Sequence, residues 1–442
     1  LTTTAAAATV TNTGQTINLS TPLNLVQTTA NANGDYLTAA NDTITVATGM
    51  LPTGVGTATT GLTVIDATST DADVLSATVL NDAWNAGTLI SGIETVNLNL
   101  LTADTGFAMS SILPGTTTLN FSGVSSQTGI TNITSGTAFG MGATYFGSVT
   151  LAQGATLAAA TLNLNGKLGL TAASPTFVTG NIVTALTLNA NASSSVNMDT
   201  NTTSFGTITV QGAGNLTIYG ANNDFGAANI TSTDLGYTGT LTLATTNAAA
   251  TIDGTATGVL TGVDVLDISI AAGIPIVSLP AVTGGGTFTV KHAPVLAAAG
   301  VAGAITVNQA GTSAADKVTI SLGANSTGTG AVAIAGTETA VIASGGASTG
   351  TDTVASVTQG ITLGSTQSLT ITGAGGVTIT GAATADTIST AGVAGAVTIG
   401  DLTNTVGTTT FTGGAGNTTI SAGSGNANSD VTTGAGNDNI IT

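Results

Sequence analysis

The chain is 442 residues long, with 21 acidic side chains against three basic ones, all lysine, and a formal net charge of −18. Cysteine is absent, which excludes disulfides, zinc–thiolate centres and thiol chemistry. The scarcity of basic groups argues against nucleic acid and anionic membranes as partners, since both are recognised through positive patches.

Mean hydropathy is +0.45, but it comes from alanine and valine dispersed among threonine, glycine and asparagine. No run of about 18 apolar residues occurs, so no transmembrane segment is expected. Glutamate, lysine and arginine, the charged helix formers, are nearly missing, while Thr, Val, Ile and Gly abound. Aromatics are only 3%, so the small side chains are left to pack a narrow core.

Residues 1–105 read as a first, acidic β unit. Thr9 to Leu25 suggests two strands, and Gly34 to Ile44 is a turn followed by a strand. Leu62 to Asp66 is a further strand, and Asp71 to Asn85 is expected to be a short helix carrying Trp84 as a core anchor. This stretch holds Asp35, Asp42, Asp66, Asp71, Asp73, Asp82, Glu94 and Asp104, eight of the 21 acids. Two readings stand side by side for them: solvated loops, or carboxylates neutralised by cations.

Residues 106–250 read as a neutral β-solenoid. From Thr105 to Met198 there is no acid and one lysine, Lys167. Thr184 to Asn189 alternates so that Leu186 and Leu188 point inward, and Phe205 to Gln211, Leu216 to Gly220 and Thr240 to Thr245 are strand signals. Tyr145-Phe146 is read as core. Residues 251–345 form the next segment, and Lys291-His292 closes one of its strands. A lone histidine without a positioned partner is no catalytic signal, so no enzyme activity is expected. The last segment, residues 346–442, includes the strand Leu369 to Gly373.

An internal repeat links these segments. Ile90-Ser-Gly-Ile-Glu-Thr-Val-Asn-Leu98 returns as Leu260-Thr-Gly-Val-Asp-Val-Leu-Asp-Ile268, and more weakly as Ile334 to Ile342 with Glu338. Each copy sets a glycine turn and one carboxylate just before a strand. That acid either caps backbone N–H groups or binds a cation, and capping is the plainer role.

The tail carries a degenerate glycine-aspartate repeat of the form G-G-x-G-x-D-x-U-x. It reads Gly413-Gly-Ala-Gly-Asn-Thr-Thr-Ile420, then Thr433-Gly-Ala-Gly-Asn-Asp-Asn-Ile440, with Ile420 and Ile440 directed at a core. Such turns offer carbonyl and carboxylate oxygens, which are hard ligands suited to Ca²⁺. Ordinary Gly/Asn turns without metal are the alternative. The expected ligands are Asp35, Asn41, Asp42, Asp66, Asp71 and Asp73 near the start. Toward the end they are Gly414, Gly416, Asn417, Asp430, Gly434, Gly436, Asn437 and Asp438.

The order Asp35-Tyr-Leu-Thr-Ala-Ala-Asn-Asp42-Thr-Ile, Leu62-Thr-Val-Ile-Asp66, Asp73-Val-Leu75 and Ile90 to Leu98, with glycine-aspartate repeats downstream, resembles the lattice region of calcium-dependent S-layer proteins of the Caulobacter type with RTX-like repeats. The close likeness covers about residues 30–100 and 410–442. It implies type I secretion, a cell-surface location and Ca²⁺-bridged β-solenoid sheets. No helical lipopolysaccharide anchor and no secretion segment are recognisable here. Contact with cell-surface polysaccharide or lipopolysaccharide would belong to a region outside this sequence.

The sequence therefore predicts an all-β, elongated chain rich in parallel β-helix or β-solenoid, made of several stacked β units. The expected role is a structural homo-oligomer, assembling as a two-dimensional lattice or a filament outside the cell. A filament or sheath subunit is the nearest alternative. A secreted adhesin or hydrolase with a calcium-stapled tail is a third.

Overall fold

The structure, a computed structural model, describes residues 13–19, 25–26, 36–48, 62–68, 71–80, 88–103, 107–124, 126–143, 148–151, 157–166, 176–179, 183–198, 205–220, 229–231, 237–245, 251–253, 260–267, 276–279, 287–292, 305–308, 317–322, 329–335, 339–344, 351–359, 367–402, 408–422 and 428–441. They form a parallel β-solenoid with almost no helix, divided into two compact units. The first unit comprises Leu1–Val196 with Ser204–Gly206, and the second Asn197–Thr203 with Thr207–Thr442. The charge boundary near residue 105 thus falls inside the first unit.

In the first unit, one sheet is built from Thr16–Leu19, Thr43–Val46, Val74–Val79, Thr95–Leu100, Thr118–Gly123, Ala138–Gly142, Leu157–Asn165 and Val183–Ala192, each parallel to the next. The strands between them in sequence go elsewhere. Leu25–Val26, Thr63–Ile65 and Leu89–Ser91 make one short sheet, and Gln127–Ile130, Ser148–Leu151 and Thr176–Thr179 belong to another. This alternation between sheets is what winds the chain into coils. It also makes every pairing among the described residues parallel, because each strand returns in the same direction one coil later.

The period of two decides which residues fill the core. Thr95–Leu100 and Val74–Val79 both bury every second residue. Register then stacks like on like. One inward column runs Ile17, Ile44, Leu75, Val96, Leu119, Phe139, Leu162 and Leu188. All eight are buried, as is Leu186, so the expected inward direction of Leu186 and Leu188 is what the structure has. Each such aliphatic side chain contributes about 1.5–3 kcal/mol on full burial. The outward column beside it reads Thr16, Thr43, Val74, Thr95, Thr118, Ala138, Thr161 and Thr187, which is why threonine dominates the composition.

The second unit follows the same rule. One of its sheets extends from Leu216–Gly220 through Leu241–Thr245 to Thr408–Thr412 and Asn428–Thr432, and another from Thr251–Asp253 to Thr418–Ala422 and Asn439–Ile441. Ile379, Ile399, Ile420 and Ile440 are stacked in register in the latter. Ile420 is fully buried and Ile440 is 41% exposed. In the tail, a Cβ at Gly434 would fall on the Gly414 carbonyl oxygen, so successive coils approach there more closely than any side chain permits.

One expectation is corrected. Residues 74–79, placed within a short helix from Asp71 to Asn85, are strand. Leu75, Ala77 and Val79 lie on one buried side at a spacing of two, and a helix would have scattered them around its axis. Trp84 lies outside the described residues, as does the Tyr145-Phe146 pair. Among the described residues the single helix is the turn Met109–Ile112, and no helix is long and apolar enough to cross a membrane.

Candidate metal centre

The acids of the first unit gather where coils turn into strands. Asp42 immediately precedes Thr43–Val46, Asp73 precedes Val74–Val79 and Glu94 precedes Thr95–Leu100. These strands are adjacent in one parallel sheet, so their leading residues stand side by side. Asp66 joins them from the end of Thr63–Ile65, and Asp71 from the turn that follows. Carboxylate oxygens of Asp42, Asp66 and Asp73 lie within 4.8 Å of one another, and so do those of Asp71, Asp73 and Glu94. Asp73 belongs to both groups.

The cluster is deep. Asp42, Asp66 and Asp73 are 1%, 4% and 0% exposed. Backbone and hydroxyl donors hold one part of it. Asp42 Oδ1 accepts the Gln15 N–H at 2.6 Å, and Oδ2 accepts the Thr38 N–H at 2.6 Å. Asp73 Oδ1 accepts the Asp42 N–H at 2.6 Å, and Glu94 Oε2 accepts the Asp73 N–H at 2.9 Å. Asp66 Oδ1 accepts the Thr68 N–H at 2.7 Å.

The other part is left over. With every acid ionised, Asp66 Oδ2, Asp71 Oδ1 and Asp73 Oδ2 are shielded from solvent and find no hydrogen-bond donor among the described residues, and only a proton on Asp73 itself would supply one, shared with Asp66. A buried acceptor in that state is costly, and a buried charge more so. The Thr68 hydroxyl sharpens the shortage. It lies 2.7 Å from Asp66 Oδ1 and 2.9 Å from Asp71 Oδ2, yet it owns a single hydrogen and satisfies one of the two.

Electrostatics give the same answer. Burial pushes the Asp73 carboxyl up from 3.8 to about 8. The Asp42 N–H opposes that rise, while the Asp66 carboxyl and the charges of Asp71 and Asp66 add to it. No lysine, arginine or histidine occurs before Lys167. Only protons or a cation from outside the first 166 residues can balance five carboxylates here. The donors are all oxygen, from coil turns without regular geometry. That set suits Ca²⁺ at about 2.3–2.6 Å better than the strict octahedron of Mg²⁺, and it lacks the imidazole or thiolate that zinc prefers.

Elsewhere three acids serve as staples between coils, while Asp401 keeps one buried oxygen without a donor among the described residues. Asp264 Oδ2 accepts the Leu241 N–H at 2.8 Å, Asp386 Oδ2 the Gln367 N–H at 2.9 Å, and Asp438 Oδ1 the Thr418 N–H at 2.9 Å. Glu94 and Asp264 occupy the same place in the internal repeat, and both do so. Their turns match as well: Gly92 and Gly262 have φ of 76° and 71°. Capping is therefore the role of the repeat's acid at these two sites, and Glu94 adds the acid cluster to it. Glu338 lies outside the described residues.

Of the expected ligands, Asp42, Asp66, Asp71 and Asp73 are brought together. Asn41 is exposed, and its Oδ1 accepts the Ala72 N–H at 3.0 Å. Asp35 lies outside the described residues. In the tail, Asn417 Oδ1 accepts the Asn437 N–H at 2.9 Å and the Gly414 carbonyl accepts the Ala435 N–H at 3.2 Å. Gly416 and Gly436 are stacked one coil apart, as Gly414 and Gly434 are. Asp430 is exposed on the strand Asn428–Thr432. Among the described residues, neither Asp430 nor Asp438 belongs to a group of three converging acids. The sequence reading had not placed Glu94 and Thr68 in the site. Glu94 was findable, because Asp42, Asp73 and Glu94 each precede a strand at separations of 31 and 21 residues, one coil apiece.

The chain matches no protein family, no curated protein and no solved structure.

Proposed function

We propose that this chain is a structural subunit of an extracellular, calcium-stabilised surface layer, which it builds by self-assembly, and that it is not an enzyme. The observation that carries the reading is the buried acid cluster in a segment with no basic side chain before Lys167. A divalent ion balances that charge where protons otherwise would, and calcium is abundant outside cells and scarce inside them. A net charge of −18 points the same way. Packed copies bring like charges within a Debye length, about 8 Å at physiological ionic strength, and bound Ca²⁺ lowers that repulsion where monovalent salt only screens it. Long parallel sheets with threonine-rich exteriors supply rigid, neutral walls for neighbours to pack on.

The test is electron microscopy of the purified chain in calcium, and in EGTA at constant ionic strength. A two-dimensional array in calcium that dissolves in EGTA and re-forms on recalcification is the expected result. Filaments in calcium would replace the surface layer by a sheath or fibre. Monomers under every condition would overturn the reading.

A further inference from the structure

The geometry points to a two-ion centre in the first unit, in which Asp73 bridges one divalent cation held with Asp42 and Asp66 to a second held with Asp71 and Glu94. This inference rests on the calcium reading above and assigns its stoichiometry and its key ligand.

Three observations lead there. First, the acids form two overlapping groups rather than one, and Asp73 is the member they share. Second, each group contains buried oxygens without a donor. Asp66 Oδ2 lies in one, Asp71 Oδ1 in the other, and Asp73 Oδ2 is common to both. Asp66 and Asp73 are more than nine-tenths buried, so these oxygens have no recourse to solvent. Third, the charge balance favours two ions. With all five carboxylates ionised, one divalent cation would leave three negative charges on a cluster whose Asp42, Asp66 and Asp73 are buried and whose Asp71 and Glu94 are half-buried, whereas two leave one.

The hydrogen bonds fit this division. The oxygens that accept backbone N–H groups fix each side chain's orientation: Asp73 Oδ1 from Asp42, Glu94 Oε2 from Asp73, Asp66 Oδ1 from Thr68. The remaining oxygens of Asp66, Asp71 and Asp73 are then held toward the ions, as second-sphere bonds hold ligands in metal sites generally. Because the ligands come from three successive strand starts, filling the centre ties the coils between residues 36 and 100 together, so binding and folding of that segment are coupled.

Calcium content per chain, measured by elemental analysis of the purified full chain after dialysis against limiting calcium, tests the assignment. Asp66→Asn and Glu94→Gln should each lose one equivalent relative to the unsubstituted chain, and Asp73→Asn should lose two. The amide variants keep an acceptor oxygen for the backbone donors, and circular dichroism verifies that each remains β. If Asp73→Asn does not fold, the double variant Asp66→Asn/Glu94→Gln serves in its place and should lose two. Loss of a single equivalent in Asp73→Asn, or in the double variant, overturns the two-ion centre. Unchanged calcium content in all variants, with assembly still dissolved by EGTA, overturns this centre and leaves the calcium-dependent surface layer standing. An unsubstituted chain that binds no calcium overturns both.

Discussion

Asp73 accepts the backbone N–H of Asp42 with one carboxylate oxygen, at 2.6 Å across 31 residues of chain, and turns its other oxygen into a buried cluster of acids. One side chain thus performs two tasks. The first oxygen joins neighbouring coils as any N-capping carboxylate would. The second creates a charge problem that the polypeptide does not solve by itself.

That problem has a pH signature. The Asp73 carboxyl titrates at about 8 in the folded chain against an ordinary 3.8, because burial and the neighbouring carboxylates favour its protonated form. Folding therefore takes up a proton between those two values. The contribution is fully present below pH ~4 and is lost as pH rises through about 8. In EGTA, thermal stability of the first unit should fall as pH is raised from 5 to 8. In calcium the fall should vanish or reverse, because the ion displaces the proton and binds more tightly as pH rises. Melting curves at several pH values, with and without calcium, check this. A calcium-free protein whose melting temperature is flat over that range would contradict it.

Gly92 should tolerate no side chain. Its φ is +76°, and a Cβ there would strike the Asp66 carbonyl oxygen and crowd the Asp66 Cβ at 3.2 Å. Gly92→Ala is expected to destabilise the first unit by at least about 2 kcal/mol, combining the left-handed backbone penalty with displacement of Asp66. Calcium affinity should fall with it, since Asp66 is part of the acid cluster. Denaturant melts and calcium titration on the same variant measure the two effects.

The staples of the second unit should behave as hydrogen-bond acceptors rather than as charges. Asp264→Ala removes the partner of the Leu241 N–H and is expected to cost about 1–3 kcal/mol. Asp264→Asn keeps an acceptor and should cost less than half of that. Calcium content should be unchanged in both. Equal destabilisation by Ala and Asn, or loss of an ion, would show that charge at Asp264 matters for another reason.

His292 ends the strand Thr287–His292, in register with Leu322. His292→Ala should leave assembly and calcium dependence as they are. A hydrolytic activity that disappears with this substitution would contradict the assignment of a purely structural role.

Much of the fold is legible in the sequence because its determinants are local. Alternation in Thr184 to Asn189 fixes which side of a strand is buried, and a fold of short neutral strands with glycine turns follows from composition. The helix expected at Asp71 to Asn85 is overruled over residues 74–79 by the spacing of two in Leu75, Ala77 and Val79, and Ile440, expected to face a core, is 41% exposed at the end of its sheet. The acidic residues of the centre were also visible, and Asp42, Asp66, Asp71 and Asp73 are found together. Their partition of labour was not. Whether an acid becomes a staple, as Asp264 and Asp438 do, or a member of a buried cluster, as Asp73 is, depends on what the neighbouring coils place beside it. Coil lengths differ, 31 residues from Asp42 to Asp73 but 21 from Asp73 to Glu94, so only the closed register of parallel strands sets Asp42 and Glu94 beside the local group of Asp66, Asp71 and Asp73. Alternation, turn chemistry and charge balance belong to the linear chain. The meeting of Asp42 and Glu94 with the group of Asp66, Asp71 and Asp73 belongs to the packing, because it joins residues that 31 and 21 residues of chain keep apart.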